Sequence, residues 1–114
     1  MLYGYGTFFV RARGTGDVLG ICGVFHTWRS FGKGMSDTSE IGWIFAEKAW
    51  GKGIATEAAL AALVWFDREH GPQRIGCMID APNLPSLKLA KRLGFVRYDT
   101  HIEADVPLIL LTRG

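Results

Sequence analysis

Two glycines stand directly ahead of the longest helical run in the chain, in Lys48-Ala49-Trp50-Gly51-Lys52-Gly53-Ile54-Ala55-Thr56. Glycines at that place let successive backbone N–H groups converge on one point, and the helix dipole adds partial positive charge there. Lys48 and Lys52 can add full charges. The chemistry favoured is a seat for phosphate or pyrophosphate; the plain alternative is a glycine-rich turn that binds nothing. Spacing excludes two nucleotide patterns. Lys52 is followed by Gly53 where a Walker loop needs Ser or Thr, and Thr56 stands where a dinucleotide fingerprint needs its third glycine. Cys22 and Cys77 are far apart and form no CxxC pair, so they read as two small buried hydrophobes in a reducing compartment, and no metal site is expected.

The elements that must position this loop follow from periodicity. Thr7 to Arg13 and Val18 to Trp28 read as two strands joined by a Gly14-Thr15-Gly16-Asp17 turn, the second apolar enough from Val18 to Phe25 to need cover on both faces. Arg29 to Ser39 reads as a mobile loop and Glu40 to Ala46 as a third strand. Ala55, Ala58, Ala59, Ala62, Leu63 and Phe66 recur at helical spacing between Ile54 and Glu69, and His70-Gly71-Pro72 ends that helix. This makes His70 a helix-end residue. Arg74 to Asp80 is a strand, and Pro82-Asn83-Leu84-Pro85-Ser86 opens a helix that runs to about Leu93. Phe95 to Thr100 and Val106 to Arg113 are a closing antiparallel pair. The class is α+β with a mixed, mostly antiparallel sheet.

At 114 residues there is room for one domain, spanning 1–114, and 48% hydrophobic against 21% charged residues excludes intrinsic disorder. A net charge of +2 is too small to argue for a nucleic-acid partner, although Arg11, Arg13, Arg29 and Lys33 stand near Phe9, Trp28 and Phe31. Met1 to Gly6 lacks the pattern of a signal peptide and no stretch is long and apolar enough for a membrane span, so a soluble, cytoplasmic protein is expected.

Lys48-x-x-Gly51-x-Gly53-Ile54-Ala55 resembles the [QR]-x-x-G-x-[GA] acetyl-CoA signature of the GNAT N-acetyltransferase superfamily, with Lys in the usual Gln/Arg place. Asn83-Leu84-Pro85-Ser86-Leu87-Lys88-Leu89-Ala90-Lys91-Arg92-Leu93-Gly94-Phe95 is similar to that superfamily's N-x-x-[AS]-x-x-L-x-x-x-x-G-F helix. The wording from Trp50 to Ala58 resembles the RimJ/RimL-type branch, whose members acetylate protein N-termini. The resemblance implies a GNAT fold with a β-α-β-α-β-β C-terminal half, acetyl-CoA as cosubstrate, and direct acetyl transfer to a primary amine of a protein N-terminus or a small molecule. By position it assigns the pyrophosphate to Gly51, Lys52, Gly53, Ile54, Ala55 and Thr56, and the pantetheine arm to main-chain groups of Ile44 and Phe45 and to Asn83. Lys48 is counted with the signature as cofactor-binding, and Lys91 or Lys88 falls near the nucleotide end, with a solvated helix face as the alternative for those two lysines.

The same resemblance names Glu40 as general base, with an exposed strand-end charge as the alternative. Ala90 occupies the place where many members carry a tyrosine acid, so Ser86 is named as proton donor, with helix-end hydrogen bonding as the alternative. His26 and Trp28 are candidates to line the acceptor side, and Glu57 reads as a first-turn helix carboxylate. The family's usual opening strand and two helices have no counterpart ahead of Thr7, which implies an N-terminally incomplete pattern, a bare sheet face and a homodimer or larger assembly. A catalytically inactive acyl-CoA-binding module is the competing function.

Overall fold

The computed structural model describes residues 7–114; the reading of Met1 to Gly6 lies outside them. Six strands form one sheet: β1 (Thr7–Arg11), β2 (Val18–Trp28), β3 (Ser36–Phe45), β4 (Ile75–Asp80), β5 (Val96–Glu103) and β6 (Val106–Arg113). Two helices, α1 (Ile54–His70) and α2 (Leu84–Arg92), cross between β3 and β4 and between β4 and β5. The spatial order is β1-β2-β3-β4-β6-β5, with β3 and β4 parallel and every other pair antiparallel. This is the mixed, mostly antiparallel α+β arrangement expected.

Directly registered residues share a sheet face. Cys22, Val24, Ile41, Ile75, Cys77, Ile79, Ile109 and Leu111 lie on one face and form a single core with Ala59, Ala62, Leu63 and Phe66 of α1 and Leu89, Ala90 and Leu93 around α2. The alanine stripe brings α1 close to the strands, and fully buried Phe66 adds roughly 1.5–3 kcal/mol of transfer free energy. Asp67 fixes α1 to β6 through two hydrogen bonds from Arg113, 2.6 and 3.4 Å. The opposite face carries no helix among the described residues, and Phe9 (68% exposed) and Ile44 (71%) lie open on it.

Several boundaries depart from expectation for identifiable reasons. β1 stops at Arg11 because Ala12 N–H bonds Asp17 O and Gly16 N–H bonds Ala12 O, closing the turn early. β3 starts at Ser36, which shortens the preceding loop to Arg29–Met35. Nor is that loop loose. Tyr98 Oη donates to Lys33 O (2.7 Å), Lys33 Nζ to Thr100 O (3.0 Å) and Arg74 Nη1 to Gly34 O (2.7 Å), while Phe31 stacks on His101 at 3.9 Å. The ties to Tyr98, Thr100 and His101 run to β5, more than sixty residues away, and the one to Arg74 runs to the residue ahead of β4; no local pattern announces them. β5 itself runs on to Glu103, ending in a tight turn with Ala104 and Asp105 both at positive φ.

Candidate active site

The loop ahead of α1 has the predicted geometry. Gly51 (φ 73°) and Gly53 (φ 75°) are both left-handed, and a Cβ at either would meet only open space. Gly53 is the N-cap of α1 and, being glycine, gives the first helical turn no side-chain cap. The N–H groups of Ile54, Ala55 and Thr56, which have no intrahelical partner by their position, therefore face outward where an anion can take them. Lys52 is exposed beside them. Lys48 instead leans toward Asp17 of the β1–β2 turn, Nζ to Oδ2 3.8 Å, an exposed pair of a kind that holds weakly.

Between β3 and β4 only Ser39↔Ile75 and Glu40↔Gly76 are paired. Beyond these two positions the strands part, although β3 continues on β2 and β4 on β6. The slot so formed runs from Glu40 to Phe45, about 17 Å at strand rise. Hydrogen-bond direction along β3 follows from one bond: Ala46 N–H donates to Leu19 O (2.7 Å), so by antiparallel alternation Ala46, Ile44 and Gly42 point their main-chain groups at β2. Ile41, Trp43 and Phe45 point theirs into the slot. This corrects the expectation for Ile44, whose main chain is directed at Ile21 of β2; Trp43 is the residue whose main chain faces the slot together with Phe45. Phe45 O does face the slot and accepts from the indole Nε1 of Trp50 (3.1 Å). Gly20 is required opposite: a Cβ there would lie 2.3 Å from Ile44 O and 2.7 Å from Phe45 Cδ1.

Glu40 sits at the closed end of the slot, on the face without helices, beside Phe25 and Gly76. It is 4% exposed, not the solvated strand-end charge of the alternative reading. Arg29 grips it with two hydrogen bonds, Nε to Oε1 3.2 Å and Nη2 to Oε2 2.9 Å. That pairing raises the Arg29 pKa, against the opposing effect of burial and with smaller help from the charges of Glu40 and Glu103. Across the slot, Ser86 Oγ accepts from Trp43 Nε1 (3.1 Å), which leaves the hydroxyl proton directed elsewhere. Asn83 Oδ1 accepts from Ser86 N–H (3.2 Å) as the N-cap of α2.

Burial pushes the Cys22 thiol up to about 11; burial first, then the Glu40 charge, takes Cys77 to about 12. Neither is a thiolate nucleophile at neutral pH. Iodoacetamide at pH 8 is expected to leave both unmodified in the native protein and to alkylate both in denaturant, as read by mass spectrometry. Because the unfolded thiols ionise from about the ordinary 9.0 while the folded ones do not, the stabilisation is complete below that pH and declines as pH climbs toward 11 and 12.

Other candidates lie apart. Lys91 joins Arg97, Leu87, Phe95 and Ile109 around a groove of about 620 Å³ between α2 and the β5–β6 pair, which no residue of Gly51 to Thr56 lines. His26 lies on the helix side of the sheet, Nε2 2.8 Å from Asp37 Oδ1, in a cavity of about 470 Å³ shared with His70 and Arg74 at the far end of α1. Trp28 is exposed. Among the described residues no group of His, Cys, Asp and Glu is arranged to hold a metal, and no helix is long and apolar enough to cross a membrane. Sequence reasoning missed Arg29, Trp43 and Trp50. The antiparallel return of β3 on β2 is what brings Arg29 back to Glu40.

Known proteins share this fold. YkkB of Bacillus subtilis, an uncharacterized protein, is 33% identical over 111 residues, 97% of this chain and 62% of that protein. This chain therefore spans about three-fifths of the relative's length. A Bordetella pertussis structure described as a GNAT-family acetyltransferase superposes with TM-score 0.92 at 36% identity, covering 98% of this chain and 67% of that one. The Salmonella typhimurium protein yncA, solved with acetyl-CoA, matches with TM-score 0.75 over 98% of this chain and 70% of its own, and at 24% identity that likeness is one of fold. The family model described as "Acetyltransferase (GNAT) domain" matches residues 2–96, from ahead of β1 to the start of β5, and the chain belongs to the GNAT acetyltransferase family.

Proposed function

We propose that this chain forms the acyl-CoA site of a cytoplasmic N-acetyltransferase that transfers acetyl to a primary amine, on a protein N-terminus as in the RimJ/RimL branch or on a small molecule. The observation that carries the reading is the slot between β3 and β4, with an uncapped helix N-terminus beyond one end and a buried carboxylate at the other. Acetyl-CoA supplies a thioester carbonyl open to amine attack. The first-turn N–H groups of α1 fit its pyrophosphate, and the inward main-chain groups of Trp43 and Phe45 fit the amides of its pantetheine arm. Phe45 O already accepts from Trp50 and keeps a second lone pair for such a donor. Glu40, directly or through water, takes the proton of the acceptor ammonium, and Ser86, held by Trp43, donates one toward the departing sulfur. Open Phe9 and Ile44 on the bare sheet face favour a homodimer or larger assembly.

The test is acetyl-CoA consumption with a panel of primary amines. Turnover above uncatalysed thioester hydrolysis is expected, with kcat about a hundredfold lower in Ser86→Ala, at the modest end of acid–base effects. A background rate with every amine, despite measurable CoA binding, would favour the inactive binding module. That alternative draws on the grip of Arg29, whose two hydrogen bonds occupy both carboxylate oxygens of Glu40. Sedimentation of the same sample at the mass of one chain would count against the assembly.

A further inference from the structure

The Arg29–Glu40 pair has more in it than a base and its partner. Glu40 is closed off, but a third of the Arg29 side chain (35%) is exposed, so the guanidinium is the half of the pair that an incoming molecule meets first. Of the five N–H donors on a guanidinium, Glu40 takes two, from Nε and Nη2. The remaining three, on Nη1 and Nη2, form an edge suited to a second carboxylate. Glu103, exposed at the end of β5, also acts on Arg29 and gives the trio a net negative charge, which admits a cationic amine.

We infer that the acceptor is a small zwitterion, a primary amine with a carboxylate two or three bonds away, its carboxylate on the free edge of Arg29 and its ammonium on Glu40 at the end of the slot. The inference rests on the acetyltransferase reading above and names its substrate class. The pair complements such a molecule group for group: anion beside ammonium, guanidinium beside carboxylate. It also answers how a gripped carboxylate can serve as base. When Arg29 shares its charge with the acceptor carboxylate, its hold on Glu40 weakens, and Glu40 takes one proton from the ammonium. The neutral amine then attacks the thioester carbonyl carbon; the C–N bond forms as the C–S bond breaks. The nitrogen's second proton is lost as the sulfur gains one, so the products are the N-acetylated acid and a free thiol.

The test compares α-amino acids with their methyl esters, their amides and 1,4-diaminobutane, by steady-state turnover and by calorimetry in the presence of CoA. The free acid is expected to exceed its ester about tenfold in kcat/KM, mainly through KM, and in binding. Ester amines are less basic and so more neutral at a given pH, a bias against this result. Arg29→Gln should bring the acid-to-ester ratio close to one, and Arg29→Lys should keep part of it. Since Arg29→Gln risks the fold, the wild-type ratio decides alone. Equal or faster use of the ester, or preference for the diamine, with turnover intact would overturn the inference and leave the acetyltransferase reading standing. No turnover with any amine would sink both.

Discussion

Arg29→Met is expected to cost about 3 kcal/mol of folding stability in urea titration, at the low end for breaking a buried ion pair because Arg29 itself is partly solvated. The loss comes less from the missing attraction than from what stays behind. Glu40, 4% exposed, would keep a charge in a site walled by Phe25 and Gly76, its register neighbours, and by Met35, which is fully buried over Gly76. Glu40→Gln should cost less, since the amide still accepts from Arg29. The double variant should recover much of the loss of Arg29→Met, because no buried charge is then left alone. A coupling energy of at least about 1.5 kcal/mol from this cycle is the expected result. A value below about 1 kcal/mol would class the pair with ordinary surface ion pairs and remove the reason to regard Glu40 as a held group.

The same pair shows where sequence reading succeeds and where it stops. The geometry of the loop ahead of α1 was legible because its parts are consecutive: two glycines that need positive φ and a helix that starts directly after them. α1 and the order of elements were legible because periodicity is local. Strand ladders are not. Arg29 stands 11 residues before Glu40, and their meeting depends on how β3 registers on β2. The choice between Ile44 and Trp43 as the slot-facing main chain depends on a single hydrogen bond, Ala46 to Leu19, that sets the phase of the strand. A one-residue error in that phase reverses every main-chain direction along β3. The loop Arg29–Met35 misled for a similar reason: its polar, glycine-containing sequence is that of a mobile segment, and its anchors lie on β5 and on Arg74. Lys91 sits on a helix whose motif pointed to the nucleotide, yet its position in the turn directs it to the groove beside β5.

Gly51→Pro is expected to weaken CoA binding about a hundredfold, about 2.7 kcal/mol, by calorimetry. Gly51 holds φ at 73°, and proline fixes φ near −65°, so the turn cannot keep its path into Gly53 and α1. The first-turn N–H groups then no longer converge, and the seat loses donors that side chains cannot replace, since Gly53 caps nothing and Lys48 is drawn toward Asp17. Stability should change far less than affinity. The loop is exposed, no Cβ-sized volume is contested at Gly51, and the core stripe of α1 begins only at Ala59. Gly51→Ala offers a graded comparison: left-handed backbone costs a non-glycine residue roughly 1–2 kcal/mol, which the loop can meet by bending, so an intermediate loss of affinity is expected. Unchanged CoA affinity in a folded Gly51→Pro protein would show that the pyrophosphate is bound elsewhere.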